Sequence, residues 1–169
     1  MKPIVDWIDW VSELLGSLVS WLSLILVLTI IVDVTLRYVF NIAFVATFEL
    51  EWHLFALIFL LGAAWALKED RHVRVDVFYQ KFTIKQKAWV NLIGFMTLLL
   101  PMCFVIVREG AQFTYNSFSV LESSSDPGGL PARYIIKGAL PLGFFALGLQ
   151  CIAEILKNIK TIFIVKIDG

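Results

Sequence analysis

Four long apolar blocks, separated by short charged stretches, constrain this sequence more than any other feature. They run from Leu14 to Val32, from Leu54 to Leu67, from Ala88 to Val107 and from Gly138 to Leu156. A helix needs about 20 apolar residues to cross a bilayer, and soluble domains rarely concentrate their apolar residues in this way. The sequence therefore predicts an all-α integral membrane protein, with four transmembrane helices forming one membrane domain over residues 1–169.

The predicted transmembrane helices cover about residues 12–35, 48–68, 86–108 and 133–157. Because the second block is short, its helix is extended back to Phe48 and takes in several charged residues. Pro101 lies inside the third block and is expected to kink that helix, since proline has no N–H to donate. Before the first block, Trp7 and Trp10 beside Asp9 predict an amphipathic segment at the membrane interface.

The distribution of basic residues predicts the orientation. If the N-terminus is cytoplasmic, 10 of the 14 lysines and arginines fall in cytoplasmic segments. Cytoplasmic segments are normally the richer in lysine and arginine, so both termini are predicted to be cytoplasmic. Residues 72–85 then form a segment on the cytoplasmic surface, and residues 109–131 form a periplasmic loop. The expected location is a bacterial inner membrane, crossed several times.

Charged residues near the membrane are candidates for function because burying a charge in lipid is costly. Asp33 and Arg37 stand one helical turn apart and could pair with each other or contact a partner subunit. Glu49, Glu51 and His53 open the second helix. They either complement the helix dipole or form a buried salt bridge, for which Glu49 with Arg37 is one arrangement.

Other chemistry finds little support in the sequence. Cys103 and Cys151 lie in apolar blocks without metal-type spacing and are interpreted as packing residues. The two histidines fall on opposite membrane faces in the predicted topology, which argues against a haem held between them.

Gln150 and Glu154 share a helix face, either at the interface or along a pathway. No catalytic motif is present, so an enzyme is not expected, and the balanced charge gives no reason to expect nucleic acid.

Several motifs together resemble one family, the small (DctQ-type) membrane subunit of tripartite ATP-independent periplasmic, or TRAP, transporters. The motifs occur in this order: LRYVFN at 36–41, ELEWH at 49–53, LGAA at 61–64, HVRVD at 72–76, DPGGLP at 126–131 and LPLGF at 140–144. The resemblance covers nearly the whole chain. One departure is that Arg71 stands where many members have a glycine.

The resemblance implies a non-catalytic subunit that braces a large DctM-type membrane subunit. That partner moves an organic acid, such as a 2-oxo acid, by an elevator motion driven by a sodium gradient, and a soluble periplasmic binding protein delivers the substrate. The small subunit itself is expected to hold no cofactor. The residues that could serve structure or partner contact are Arg37, Glu49, Glu51, His53, His72 and Asp76. The residues of the periplasmic loop that could touch the binding protein are Asp126, Pro127, Gly128, Gly129 and Pro131.

Two alternatives belong to other classes of protein. One is a free-standing carrier or channel that works as a homo-oligomer. The other is a membrane-anchor subunit of a redox enzyme.

Overall fold

The computed structural model describes residues 2–70 and 82–164, and the regular structure within those ranges is helical. Four of its helices are long and apolar enough to cross a membrane: α1 (Lys2–Val39), α2 (Val45–Lys68), α3 (Ile84–Ser119) and α4 (Tyr134–Ile164). The predicted fold class, an all-α protein with four membrane-spanning helices, is confirmed. His72, Asp76 and most of the predicted surface segment lie outside the described residues.

Helix α1 is one uninterrupted helix of 38 residues, about 57 Å long at 1.5 Å per residue. The amphipathic segment predicted before the first span forms its opening turns and is not a separate element. A single inward stripe passes through Ile8, Ser12, Gly16 and Asp33, which are all buried. Their spacing of about three to four residues, or multiples of it, keeps the stripe facing the rest of the bundle.

Helix α3 is irregular near Pro101, where a kink is predicted and a π turn is observed. It begins with a capping box, in which Thr83 and Gln86 bond each other's backbone N–H groups. A π turn spans Phe95–Leu99, and the Leu100 N–H donates five residues back, to the Phe95 carbonyl. The α-helix resumes at Leu100, has Pro101 in its first turn and continues to Ser119. The missing proline N–H is thus accommodated by a local change in helix type.

Helix α4 is the centre of the bundle and packs against each of the other three helices. One third of its most apolar stretch (33%) is buried within the molecule, against 6% for α1 and for α3. Its contact with α2 is close, because a Cβ built on Gly143 would lie 2.6 Å from the backbone oxygen of Leu60. Helix α1 reaches α2 in a similar way, with Gly16 against the ring of Trp65.

The core of the bundle is apolar and includes both cysteines. Leu67, Leu99, Cys103, Leu147 and Cys151 form one buried cluster contributed by α2, α3 and α4. Both thiols are free and at most 3% exposed. They act as small packing residues, as the sequence predicts.

The bundle has two ends that carry most of its polar contacts. The termini end is where α1 begins, α2 ends, α3 begins and α4 ends. The loop end is where the other helix ends meet the connection between α3 and α4, residues 120–133. The central apolar part of the bundle separates these two regions.

Candidate functional site

Glu49 is the centre of the contacts at the loop end. It lies in the second turn of α2 and is only 2% exposed. The hydroxyl of Ser124 donates to one carboxylate oxygen, and the backbone N–H of Leu130 donates to the other at 2.6 Å. A guanidinium nitrogen of Arg133 lies 3.5 Å from the carboxylate. One side chain of α2 therefore holds the loop and the start of α4, and its buried charge is compensated.

The loop between residues 122 and 131 is shaped around this carboxylate. Ser124 accepts the N–H of Asp126, and its own N–H donates to the carbonyl of Leu130. Gly128 adopts a φ of +80°, which L-residues with side chains rarely adopt. A Cβ on Gly129 would lie 2.4 Å from the Ser124 hydroxyl and 2.8 Å from Glu49. The two adjacent glycines are thus required for different reasons, backbone conformation and close approach.

The predicted residues of the loop differ in exposure. Asp126, Pro127, Gly128 and Pro131 are exposed. Gly129 is half-buried against the carboxylate of Glu49 and the groups that bond it, which together are called the Glu49 anchor. The structure brings this loop to the candidates at the start of α2. The loop therefore presents the charge of Asp126 beside exposed proline and glycine at the loop end.

Arg37 is not the partner of Glu49. Its guanidinium bonds Asp33 at 2.5 Å, one turn back on α1, so the pairing suggested between Arg37 and Glu49 is wrong. Asp33 is 4% exposed, whereas the side chain of Arg37 is 46% exposed. The buried salt bridge of Glu49 exists, but Arg133 supplies its cation because α4 begins beside α2.

Glu51 and His53 occupy different surroundings although they flank the same turn. One carboxylate oxygen of Glu51 is buried and has no hydrogen-bond partner within residues 2–70 and 82–164. His53 Nδ1 donates to the carbonyl of Glu49 at 2.5 Å, and its ring stacks against Trp52 with centroids 3.9 Å apart. His53 therefore supports the turn that carries Glu49.

A second polar cluster, at the termini end, was not predicted. Gln150 is fully buried in α4; it accepts a hydrogen bond from Ser12 at 2.7 Å and donates to Asp9 at 2.9 Å and Glu154 at 3.0 Å. Lys157 bonds both Asp9 and Glu154 at 2.8 Å. The polar face of Gln150 and Glu154 was visible in the sequence, but its partners lie about 140 residues away, on the segment assigned to the interface.

Another contact at this end joins α1 to α2. The ammonium of Lys68 bonds Glu13, so both α2 and α4 are tied to the first turns of α1. The hydrogen bonds and ion pairs at the two ends of the bundle are suited to holding the helices in fixed positions relative to one another. Within the described residues, no three histidine, cysteine, aspartate or glutamate side chains come together as metal ligands would.

These features define a multi-pass membrane protein whose polar groups join helices to each other at both ends of an apolar bundle. The family model of the DctQ component of tripartite ATP-independent periplasmic transporters matches residues 26–161. A "Putative TRAP transporter small permease protein" from Haemophilus influenzae is 33% identical over 130 residues, which are 77% of this chain and 79% of that protein. The chain belongs to the DctQ family of TRAP transporter small permease subunits.

Proposed function

We propose that this chain braces a large DctM-type membrane subunit in a bacterial inner membrane. The pair, with a periplasmic binding protein, takes up an organic acid such as a 2-oxo acid at the expense of a sodium gradient. The small subunit contributes packing surface and carries no catalytic group or cofactor. Membership of the DctQ family supports this proposal, because the family consists of components of tripartite transporters.

One observation carries the proposal: the buried carboxylates of Glu49 and Asp33 are paired within the chain, while the apolar helix faces stay uncovered. The buried charges of Glu49 and Asp33 have cationic partners in this same chain. By contrast, Phe55 and Phe59 on α2 are 63% and 69% exposed, and Phe104 on α3 is 70% exposed. A body fixed at both ends with apolar outer faces suits a brace beside a moving partner, where packing provides the association.

The proposed orientation places the loop end in the periplasm. It rests on the excess of lysine and arginine in the segments of the termini end. In that orientation the exposed part of the loop faces the binding protein, and Asp126, Pro127 and Pro131 are its candidate contacts.

Copurification with the presumed large subunit tests the bracing role. Tagged chain and untagged partner are produced together, solubilised in mild detergent and separated by size. A one-to-one complex is the expected result. Recovery of this chain alone as a defined homo-oligomer, with the partner left behind, would favour the free-standing carrier instead.

The loop contact needs a separate test, because it could fail while the brace stands. Asp126→Lys changes an exposed loop charge, and Glu109→Lys makes the same charge change on the exposed surface of α3. The proposal expects Asp126→Lys to raise the concentration of binding protein that gives half-maximal uptake. In Glu109→Lys that concentration should equal the wild-type value. Equal behaviour of the two variants would remove the loop from the docking surface and leave the bracing role intact.

A further inference from the structure

A pocket opens at the loop end where α2 and α4 begin. It has a volume of about 310 Å³ and is lined by Trp52, Arg133, Ile136 and Lys137. The guanidinium carbon of Arg133 lies 5.9 Å from the centre of the Trp52 ring. The pocket therefore combines two cations, an aromatic wall and the aliphatic side chain of Ile136.

The cations of this pocket retain donors that their known partners do not use. The ion pair of Arg133 with Glu49 joins Nη2 to a carboxylate oxygen at 3.5 Å, and Nε of Arg133 is buried with no partner in the part of the chain that the structure describes. A guanidinium carries five N–H donors and an ammonium three. Lys137 bonds Glu122 and lies 4.2 Å from the ring of Phe113.

The neighbouring carboxylates do not compete fully for these donors. Glu49 also accepts from Ser124 and Leu130, and Glu122 also accepts from Ser117. Each carboxylate shares its charge among several donors. A group with several anionic oxygens could therefore still bond Arg133 and Lys137 from the open side.

The position of the pocket decides which anion has access to it. Trp52 lies in the second turn of a membrane-spanning helix, and Lys137 in the first turn of another. The ends of spanning helices lie at the level of lipid headgroups, where tryptophan and basic side chains are enriched. A phosphodiester with acyl chains attached is thus the anion that reaches this pocket at the highest local concentration.

We propose that this pocket binds the phosphate group of a membrane phospholipid. Arg133 and Lys137 bond the phosphate oxygens, while Trp52 and Ile136 contact the glycerol and the upper part of an acyl chain. The lipid fills the space beside the Glu49 anchor and stabilises the junction of α2 with α4. The inference concerns this chain alone and does not depend on the proposed transport role.

Native mass spectrometry of the full-length chain in detergent provides the test. The probes are phosphatidylglycerol, diacylglycerol with the same acyl chains, and the soluble anions glycerol phosphate and inorganic phosphate. We expect phosphatidylglycerol to bind in preference to the other three. Arg133→Gln should weaken that binding roughly tenfold, because a charge-assisted hydrogen bond is lost. Arg108→Gln, at an exposed arginine on α3, is the matched control and should bind as the wild type does.

Each contrary outcome overturns a defined part of the inference. Equal binding of diacylglycerol would show that the phosphate is not recognised, and equal binding of inorganic phosphate would assign the pocket to a soluble anion. Equal lipid binding by Arg133→Gln and Arg108→Gln would place the lipid elsewhere. If Arg133→Gln does not fold, Trp52→Leu keeps the contact between Arg133 and Glu49 and still removes the aromatic wall. Its binding should fall, and wild-type binding by Trp52→Leu would contradict the proposal.

Discussion

Glu49 shows how a single buried carboxylate can determine the shape of a loop. Its oxygens accept from Ser124 and from the backbone of Leu130, and Arg133 balances its charge. In apolar surroundings each of these groups would be costly to leave unpaired. A loop rich in serine, glycine and proline is thereby held against α2.

Glu49→Gln tests this role with little change of shape. The glutamine keeps one acceptor oxygen for the N–H of Leu130, and its NH₂ group can donate to the Ser124 hydroxyl, so the substitution removes the negative charge and keeps the shape. We expect amide hydrogen exchange over residues 123–130 to accelerate by roughly tenfold, because a charged hydrogen bond to the loop is lost. Glu109→Gln, at an exposed glutamate, is the control. Unchanged exchange in Glu49→Gln would mean that the loop is held by its own turns.

Glu122 gives the same loop a dependence on pH. Its hydrogen bonds from Lys137 and Ser117 hold the pKa of its carboxyl below the ordinary value of 4.5. Because the folded pKa is the lower one, the contribution to stability is complete above 4.5 and is lost as the pH falls through the folded pKa. Hydrogen exchange at pH 7 and at successively lower pH below 4.5 should show the loop loosening in acid. In Glu122→Gln this component should be absent at every pH, and a wild-type acid response in that variant would assign it to another group.

At the scale of helices, small residues set how closely the elements approach. Gly143 meets the backbone of Leu60, whereas Gly94 in α3 has nothing within 4 Å of the place where a Cβ would stand. Backbone cannot move aside as a side chain can. The α2–α4 contact thus depends on the absence of a side chain at one position.

Gly143→Ala is expected to destabilise the bundle by about 1–3 kcal/mol, the usual cost of overpacking a well-packed contact. Gly94→Ala should be neutral or slightly stabilising, since alanine is the better helix former and the space is free. Unfolding of the two variants by increasing SDS, compared with the wild type, measures the difference. Equal stability of Gly143→Ala and Gly94→Ala would show that α2 and α4 can separate at no cost.

The elements were largely predictable from the sequence, and their irregularities were not. Four apolar blocks were sufficient to predict four spanning helices, because backbone groups in lipid must bond within the helix. Pro101 indicated that the third helix is irregular, but its missing N–H can be accommodated by a kink or by the π turn observed at Phe95–Leu99. The π turn contacts α4, where the Cys151 thiol donates to the Phe95 carbonyl at 3.7 Å, and no local pattern encodes that contact.

The side-chain contacts between distant parts of the chain were the least predictable feature of the molecule. The sequence identified Glu49 and the glycines of the loop as candidates. It predicted Arg37 as the cation that pairs with Glu49, because a four-helix topology brings both Arg37 and Arg133 near the start of α2. The cluster of Asp9, Gln150 and Lys157 joins the two ends of the chain. Such contacts follow from the central position of α4, and that position becomes visible only when all four helices are assembled.

The assembled bundle separates two surfaces at opposite ends, and the excess of lysine and arginine near the termini end predicts which of them faces the cytoplasm. Ser125 is exposed in the loop between α3 and α4, and Glu69 is exposed just after α2, at the opposite end of the bundle. The natural cysteines are at most 3% exposed, so an introduced cysteine should react almost alone with a membrane-impermeant maleimide. We expect Ser125→Cys to be labelled in intact spheroplasts and Glu69→Cys to be labelled only after permeabilisation.

Labelling of both variants in permeabilised membranes serves as the control for shielding by a partner. If Glu69→Cys reacted from outside and Ser125→Cys did not, the bundle would be inverted and the loop would face the cytoplasm. The binding protein could then not reach Asp126, although the contacts of Glu49 within the chain would be unaffected. The role of the loop thus requires the proposed orientation, because a periplasmic partner can dock only on the end that faces the periplasm.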